Sequence, residues 1–512
     1  MAKRETVLLD GNHLTFEQLY DVALGAASVG VADGARTQMQ ASRAVVERIV
    51  AENVTAYGVN TGFGELAEVR ISTDQIRQLQ LNLVRSHACG VGVPLDDSET
   101  RAVMVLRANA LAKGFSGVRP VIIETLCEML NRRVHPVIPC QGSVGASGDL
   151  APLAHLALVV IGEGEAVYEG ALLTGGEAMR RAGIAPVTLE AKDGLSLLNG
   201  TQGMLALLSL ARRQAQILAD TADVAAALSL DALRGSPAAF DSRIASVRPH
   251  PGAIRAARNL ERLNRGSEIR ESHRAAERDP RVQDAYSLRC TPQVHGAVRD
   301  SLSQIAAVLA IELNSATDNP LVFTNGGQGE IISGGNFHGQ PLAMAADQMA
   351  VALATLAGIS ERRVAQLTNP HTSLLPAFLT REPGLNSGFM ILQVAAAALA
   401  SELKAQSAPH SVDSIPTSAD QEDYVSMGMA AARRLRPMLD NARRTLAIEL
   451  LSACQGLDLL APLRTGAEAH RAYELVRSVS PRVDADRSLA RDIEAVANLI
   501  AEGAFSRLIG PQ

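Results

Sequence analysis

The stretch Gly142-Ser143-Val144-Gly145-Ala146-Ser147-Gly148-Asp149-Leu150 sets three glycines in seven residues around Ala146-Ser147. Glycine reaches backbone conformations closed to other residues, so this segment is able to fold tightly. At its centre the amide nitrogen of Gly148, with no side chain beside it, can attack the carbonyl carbon of Ala146. Loss of water closes a five-membered ring, and loss of the Ser147 hydroxyl as a second water leaves an exocyclic C=CH2. The product is a methylidene-imidazolone, an electrophile of a kind that ordinary side chains do not supply and that proteins otherwise import. Simpler readings compete. Glycine-rich loops cradle phosphate, but no Gly-Lys-Ser/Thr ending follows here. Asp149 stands where a Gly-x-Ser-x-Gly nucleophile elbow needs its last glycine, and most glycine-rich loops only turn the chain.

Other polar strings interrupt apolar runs along the chain. Ala56-Tyr57-Gly58-Val59-Asn60-Thr61-Gly62-Phe63-Gly64 is too long and too polar for a simple turn. Its Tyr57 either faces a cleft or merely packs. Ser86-His87-Ala88-Cys89-Gly90 closes a helical pattern running from Thr73 to Arg85, a place where histidine often only caps and favours the dipole. Asp193-Gly194-Leu195-Ser196-Leu197-Leu198-Asn199-Gly200-Thr201-Gln202-Gly203 is a polar knot carrying Asn199. Tyr286-Ser287-Leu288-Arg289-Cys290 presents Arg289, whose planar fork suits a carboxylate, unless it makes only a surface ion pair. Gly334-Gly335-Asn336-Phe337-His338-Gly339-Gln340-Pro341 holds Phe337 and a histidine equally readable as structural. Asp413 to Tyr424 is rich in acids, Glu422 among them, a composition usual for a solvated face or a helix start.

The first string, extended through Ala151-Pro152-Leu153-Ala154-His155, resembles the signature of the aromatic amino acid ammonia-lyases. The other strings match motifs of that family, in family order, from Tyr57 to Glu422. The resemblance implies that Ala146-Ser147-Gly148 cyclises autocatalytically to 4-methylidene-imidazol-5-one, with no metal and no diffusible cofactor. It implies Tyr57 as the base, Asn199 and Tyr286 holding substrate and ring system, Arg289 on the substrate carboxylate, and Phe337 in the pocket. A tyrosine acting as base needs its pKa, ordinarily about 10, drawn down by positive charge or dipoles. Ser86-His87 is the pattern of members that act on histidine; the phenylalanine and tyrosine enzymes usually carry Leu at one of these positions. Glu422 is implied beside the substrate imidazole, together with His87. Asp420 and Tyr424 depart from the usual Asn and His. The implied reaction is non-oxidative deamination of L-histidine to trans-urocanate and ammonia, the first step of histidine degradation, with attachment through the α-amino group favoured over the imidazole. A phenylalanine or tyrosine ammonia-lyase, or an aminomutase with the same electrophile, is the alternative. A catalytically dead helical scaffold is the non-enzyme alternative, and the intact Ala146-Ser147-Gly148 argues against it.

The elements that must carry these strings are mostly helical. The 512 residues are 47% apolar but only 3% aromatic, without Trp, so the core is built from Ala, Leu, Val and Ile, a composition that favours helices. Thr6 to Leu9 reads as a strand, Ser42 to Val50 as an amphipathic helix, and Glu165 to Leu173 as a hairpin turning at Glu169-Gly170. From Met204 to Arg234 there is neither Gly nor Pro, and further helical runs cover Ala297 to Asn319, Leu342 to Ala357, Phe389 to Ala408 and Met438 to Gln455. Arg262 to Arg281 reads as a charged, solvated connection. A boundary near residue 200 therefore separates a mixed head (1–200), carrying the electrophile loop, from a long-helix body (201–512). The resemblance implies the same class: mainly α, a central bundle of long helices, fumarase/aspartase-like, assembled as a homotetramer with active sites shared between subunits. A net charge of −6 gives no reason for a nucleic-acid partner. Five scattered cysteines without a CxxC pair, no apolar leader, and charges within the apolar helices point to a cytoplasmic protein and no membrane span.

Overall fold

In a computed structural model, residues 5–62, 66, 68–275, 279, 281–325 and 328–510 are described. Phe63 and Gly64 of the Tyr57 string lie outside them, as do residues 276–278 and 280 of the charged connection. The chain divides into two compact units: residues 1–210 with 307–347 and 409–433, and residues 211–306 with 348–408 and 434–512. The long helices Gln202–Ala232, Thr291–Glu312 and Gln340–Thr368 contribute residues to both.

The first unit mixes short strands with helices. Thr6–Leu9 pairs in parallel with Ser28–Val31, in the register Thr6 to Ser28. The helix Phe16–Ala23 starts where Thr15 and Gln18 close a reciprocal capping box, and Asp97–Ala112 starts the same way on Asp96 and Glu99. Asp97–Ala112 is buried on nearly every side, Val103, Met104 and Leu106 included, as a helix at the centre of a core must be. The predicted hairpin forms from Glu165–Tyr168 and Ala171–Thr174 and extends a sheet begun by His135–Pro136. Its turn residues Glu169 and Gly170 both take positive φ, 50° and 78°, the geometry that matches strand twist in a two-residue turn. A second hairpin, Leu321–Asn325 with Gln328–Ile332, was not apparent in the sequence.

The second unit is built of long helices with small apolar faces. Leu435–Leu459 packs against both Met390–Gln406 and Ala490–Ala501, with Ala396, Ala442, Ala447 and Ala453 fully buried. Buried charge is paired inside it. Arg363 meets Glu449 at 2.5 Å, and Asp223 receives His295 at 2.7 Å and Arg299 at 2.6 Å. Burial opposes ionisation of Asp223, but Arg299 and His295 outweigh it and hold the carboxyl at about 2.

Two expectations need correction. The run expected to stay helical to Asn319 stops at Glu312. There Asn314 turns its carboxamide to the backbone of Leu14, accepting from its N–H and donating to its carbonyl. The connection expected to be solvated is so only in part: Arg262 pairs with Glu468 and caps the Leu508 carbonyl, and Ile269 and His273 are buried, while Arg265, Glu268, Glu271 and Arg274 are exposed. One helix, Gln340–Thr368, is by length and composition apolar enough to cross a membrane. Its Leu342, Ala346, Met349, Leu353 and Leu356 are instead buried within the protein.

Candidate active site

Ala146 and Ser147 are the two central residues of a tight turn closed by Gly148 N–H donating to the Gly145 carbonyl at 3.1 Å. Ser147 has φ +49°, a left-handed conformation unfavourable for a residue with a Cβ. The surroundings hold it there. Gly200 N–H donates to the Ser147 carbonyl at 3.2 Å, and Asp149 N–H donates to the Gly200 carbonyl at 2.7 Å. On the other side Met427 N–H donates to the Val144 carbonyl at 2.9 Å. Ser143 accepts from Gly145 N–H and donates to the Gly148 carbonyl, both at 3.2 Å. Backbone approaches so closely that a Cβ on Gly148 would lie 2.1 Å from the Gly200 carbonyl oxygen, and one on Gly145 2.3 Å from Ser426 Oγ. Glycine is obligatory at both places.

Asp149 follows the turn and is fully buried. Its carboxylate accepts from Met204 N–H at 2.7 Å, at the start of the Gln202–Ala232 helix. Burial pushes this carboxyl up to about 7, against the lowering pull of the Met204 and Gly203 N–H groups. Sequence reading had assigned Asp149 no role.

Helices next to the turn carry His87 and Asn199. His87 is the last residue of Ile76–His87. Gln80, on the same helix, accepts from Gly194 N–H at 2.9 Å and Leu195 N–H at 3.2 Å, satisfying the start of Asp193–Leu198. Asn199 ends that short helix. Thus His87 and Asn199 stand on two helices joined by one side chain. Past His87, Gly90 N–H donates to His155 Nε2 at 3.1 Å, tying this end to the helix Leu150–Val160 that follows the turn. The Tyr57 loop backs onto the same place: a Cβ on Gly58 would meet Leu195 Cδ2 at 2.4 Å and Pro320 Cδ at 3.1 Å. Tyr57 itself is half-buried.

His87 Nδ1 lies 2.8 Å from the Leu83 carbonyl, which only accepts, so Nδ1 carries the proton and Nε2 is left as an acceptor. Burial lowers its pKa, against the raising pull of the Leu83 carbonyl and of Glu422. Glu422 belongs to the same unit. It is set by a loop that Thr417 and Glu422 close with two backbone bonds, while Thr417 Oγ1 donates to Glu422 Oε2 at 2.9 Å. Between them Ser418, Ala419 and Asp420 all adopt positive φ, 52°, 52° and 68°. Asp and Asn tolerate this region better than most residues, so Asp420 in place of the usual Asn preserves the backbone. Tyr424 engages through its backbone: its carbonyl faces His338 Nε2 at 3.2 Å, and the two rings stack at 6.1 Å.

Phe337 is half-buried in the turn before Gln340–Thr368. Asn319 holds that segment, its Oδ1 accepting from Gly334 N–H at 2.7 Å and Ser333 Oγ at 3.2 Å. Its carbonyl accepts from Asn199 Nδ2 at 2.7 Å. A buried group that sequence reading missed lies here: Lys192, Asp318 and Arg107. The one available signal was that Lys192 is among only four lysines in the chain, amid many arginines.

Tyr286 and Arg289 belong to the second unit, on the single helical turn Tyr286–Arg289. The Arg289 guanidinium lies over the Tyr286 ring at 4.6 Å. The tyrosine is 70% exposed. Also in this unit, an apolar cavity of about 160 Å³ beside Ile244, His250, Ala253 and Pro292 includes neither of them.

Comparison with known proteins places the chain in a family. The sequence model of the family described as aromatic amino acid lyase matches residues 14–478. A histidine ammonia-lyase from Koribacter versatilis is 55% identical over 509 residues, 97% of this chain and 98% of the relative. Among solved structures, a histidine ammonia-lyase from Trypanosoma cruzi superposes with a TM-score of 0.91 at 44% identity, covering 99% of this chain and 95% of that one. A tyrosine aminomutase from Streptomyces globisporus superposes with a TM-score of 0.92 at 40% identity, covering 99% and 98%.

Proposed function

The chain belongs to the aromatic amino acid lyase family, and from that premise we propose that it deaminates L-histidine to trans-urocanate and ammonia. The observation that carries this reading is the clamped Gly145–Gly148 turn, with His87 and Glu422 in the same unit. The turn fits a methylidene-imidazolone drawn from Ala146, Ser147 and Gly148. The residue supplying the ring nitrogen must lack a side chain, and Gly148 has no room for one. When formed, that group supplies an electrophile that makes the substrate amine a better leaving group.

The remaining chemistry belongs to side chains. His87 Nε2 accepts the substrate imidazole N–H, and Glu422 balances the other edge of the ring. Tyr57 removes the β-proton. Arg289 holds the carboxylate bidentately with Tyr286 beside it, and Phe337 closes the pocket against water. The family resemblance adds to this reading a homotetramer in which loops of different copies complete each site, in the cytoplasm. An aminomutase would use the same turn, and His87 with Glu422 favours the lyase reading by offering polar partners that a phenyl ring cannot use.

The test is an assay of the purified protein with histidine, phenylalanine and tyrosine, alongside the intact mass of the peptide carrying residues 146–148. The expected results are urocanate from histidine and a peptide two waters lighter than its sequence. Active enzyme with an unmodified peptide would sink the electrophile; preference for phenylalanine would sink the substrate. Ser147→Ala is expected to abolish nearly all turnover while leaving the fold intact.

A further inference from the structure

We propose that Asp318 is a positioning residue for the reaction: its carboxylate, held by Lys192, fixes the Asn199 carboxamide so that Oδ1 is the acceptor offered to the substrate amino group. The proposal rests on the ammonia-lyase reading and adds a residue to it.

The orientation of Asn199 follows from its neighbours. Its Nδ2 lies 3.1 Å from Asp318 Oδ1 and 2.7 Å from the Asn319 carbonyl oxygen. A carboxylate and a carbonyl only accept, so the NH2 group must be the one between them. A flipped amide would set oxygen against two oxygens. Asn199 Oδ1 is then buried with no partner among the described residues. An unmatched buried acceptor is unfavourable alone and is satisfied by a donor that arrives with a ligand. Asn199 also directly precedes Gly200, whose N–H and carbonyl bind the catalytic turn at Ser147 and Asp149. An oxygen there suits the N–H donors of an amino group and repels a carboxylate.

Asp318 has no freedom to turn. Its Oδ2 receives Lys192 Nζ at 2.8 Å and Ser196 Oγ at 3.1 Å, and its Oδ1 receives Asn319 N–H at 2.7 Å as well as Asn199. Burial opposes its ionisation, but the Lys192 and Arg107 charges outweigh this and hold the carboxyl below the ordinary aspartate value. Lys192 is fully buried at the N-cap of the Asp193–Leu198 helix with φ +70°, so the cation is fixed by backbone as well as by its partner. A charged acceptor-only group accomplishes what asparagine cannot. An asparagine at 318 can turn its own NH2 toward Asn199, leaving the Asn319 carbonyl as the one acceptor that still holds the amide.

The test is a double-mutant cycle on the mature enzyme. Asp318→Asn is expected to lower kcat for histidine about 10- to 100-fold, within the range of coupled polar neighbours, while the 146–148 peptide keeps its two-water mass deficit. In the Asn199→Ala background the same substitution is expected to cost less than about 3-fold, since there is no amide left to orient. If Asp318→Asn strands the Lys192 ammonium and the protein does not fold, Lys192→Met combined with Asp318→Asn removes both charges and is held to the same criteria. Losses that multiply, full activity in Asp318→Asn, or a loss that tracks an undehydrated peptide would each overturn the proposal. Wild-type protein that leaves histidine untouched would overturn the ammonia-lyase reading, and the proposal with it.

Discussion

His87 and Asp149 show how burial sets what a titratable group can do. At His87 the Leu83 carbonyl fixes the tautomer and burial lowers the pKa, favouring the neutral ring, so the site offers Nε2 as an acceptor. Phenylalanine has no N–H for His87 Nε2 and would leave Glu422 only its Thr417 bond; an unmatched buried polar group costs about 1–3 kcal/mol. His87→Leu and Glu422→Gln are therefore expected to lower histidine turnover and narrow the ratio of kcat/KM for histidine over phenylalanine. A ratio indifferent to both substitutions would remove them from substrate selection. Asp149 titrates the other way. Its folded pKa of about 7 lies above the ordinary 3.8, so the native state holds the proton more tightly than the unfolded chain. The stability this contributes is complete below 3.8 and is lost as pH rises through 7. In urea unfolding, Asp149→Asn should gain on wild type between about pH 4 and about pH 8, by up to a few kcal/mol. A stability difference constant across that range would mean the carboxyl is not perturbed.

The catalytic turn was legible in the sequence because its requirements are local. Three glycines around Ala-Ser announce a tight backbone, and the hairpin at Glu169-Gly170 was readable for the same reason. The partner that enforces the turn was not legible, since Gly200 is far from Gly148 in the chain and only the fold brings their backbones together. The run to Asn319 misled because apolar periodicity does not register a side chain such as Asn314 taking over backbone bonds of Leu14. Lys192, Asp318 and Arg107 escaped notice because charge in a sequence reads as surface. The clamp on the turn gives a direct prediction. Gly148→Ala requires the 200-segment to move away from a methyl group that would otherwise lie 2.1 Å from its carbonyl. It is expected to yield folded protein whose 146–148 peptide keeps both waters, read by intact mass. Full dehydration in that variant would show that close approach of Gly200 is not needed.

Tyr286 and Arg289 lie on the second unit, the tyrosine largely exposed and the arginine stacked over it. A guanidinium held on an exposed ring suits a surface that another copy completes. Under the proposed homotetramer, each site takes its 146–148 turn from one copy and Arg289 from another. Arg289→Ala is expected to cost on the order of 2–5 kcal/mol in kcat/KM for histidine, and far less for histidinamide, which has no carboxylate to hold. Ser147→Ala lacks the electrophile altogether. Each variant alone is then nearly inactive, but the two fail in different halves of the site. When both are denatured, mixed in equal amounts and refolded together, sites with an intact turn and an intact Arg289 arise at random in about a quarter of cases. Activity should return to roughly that fraction of wild type refolded in parallel. If turn and arginine came from the same copy, no mixed assembly would contain an intact site, and the refolded mixture would stay as inactive as its parents.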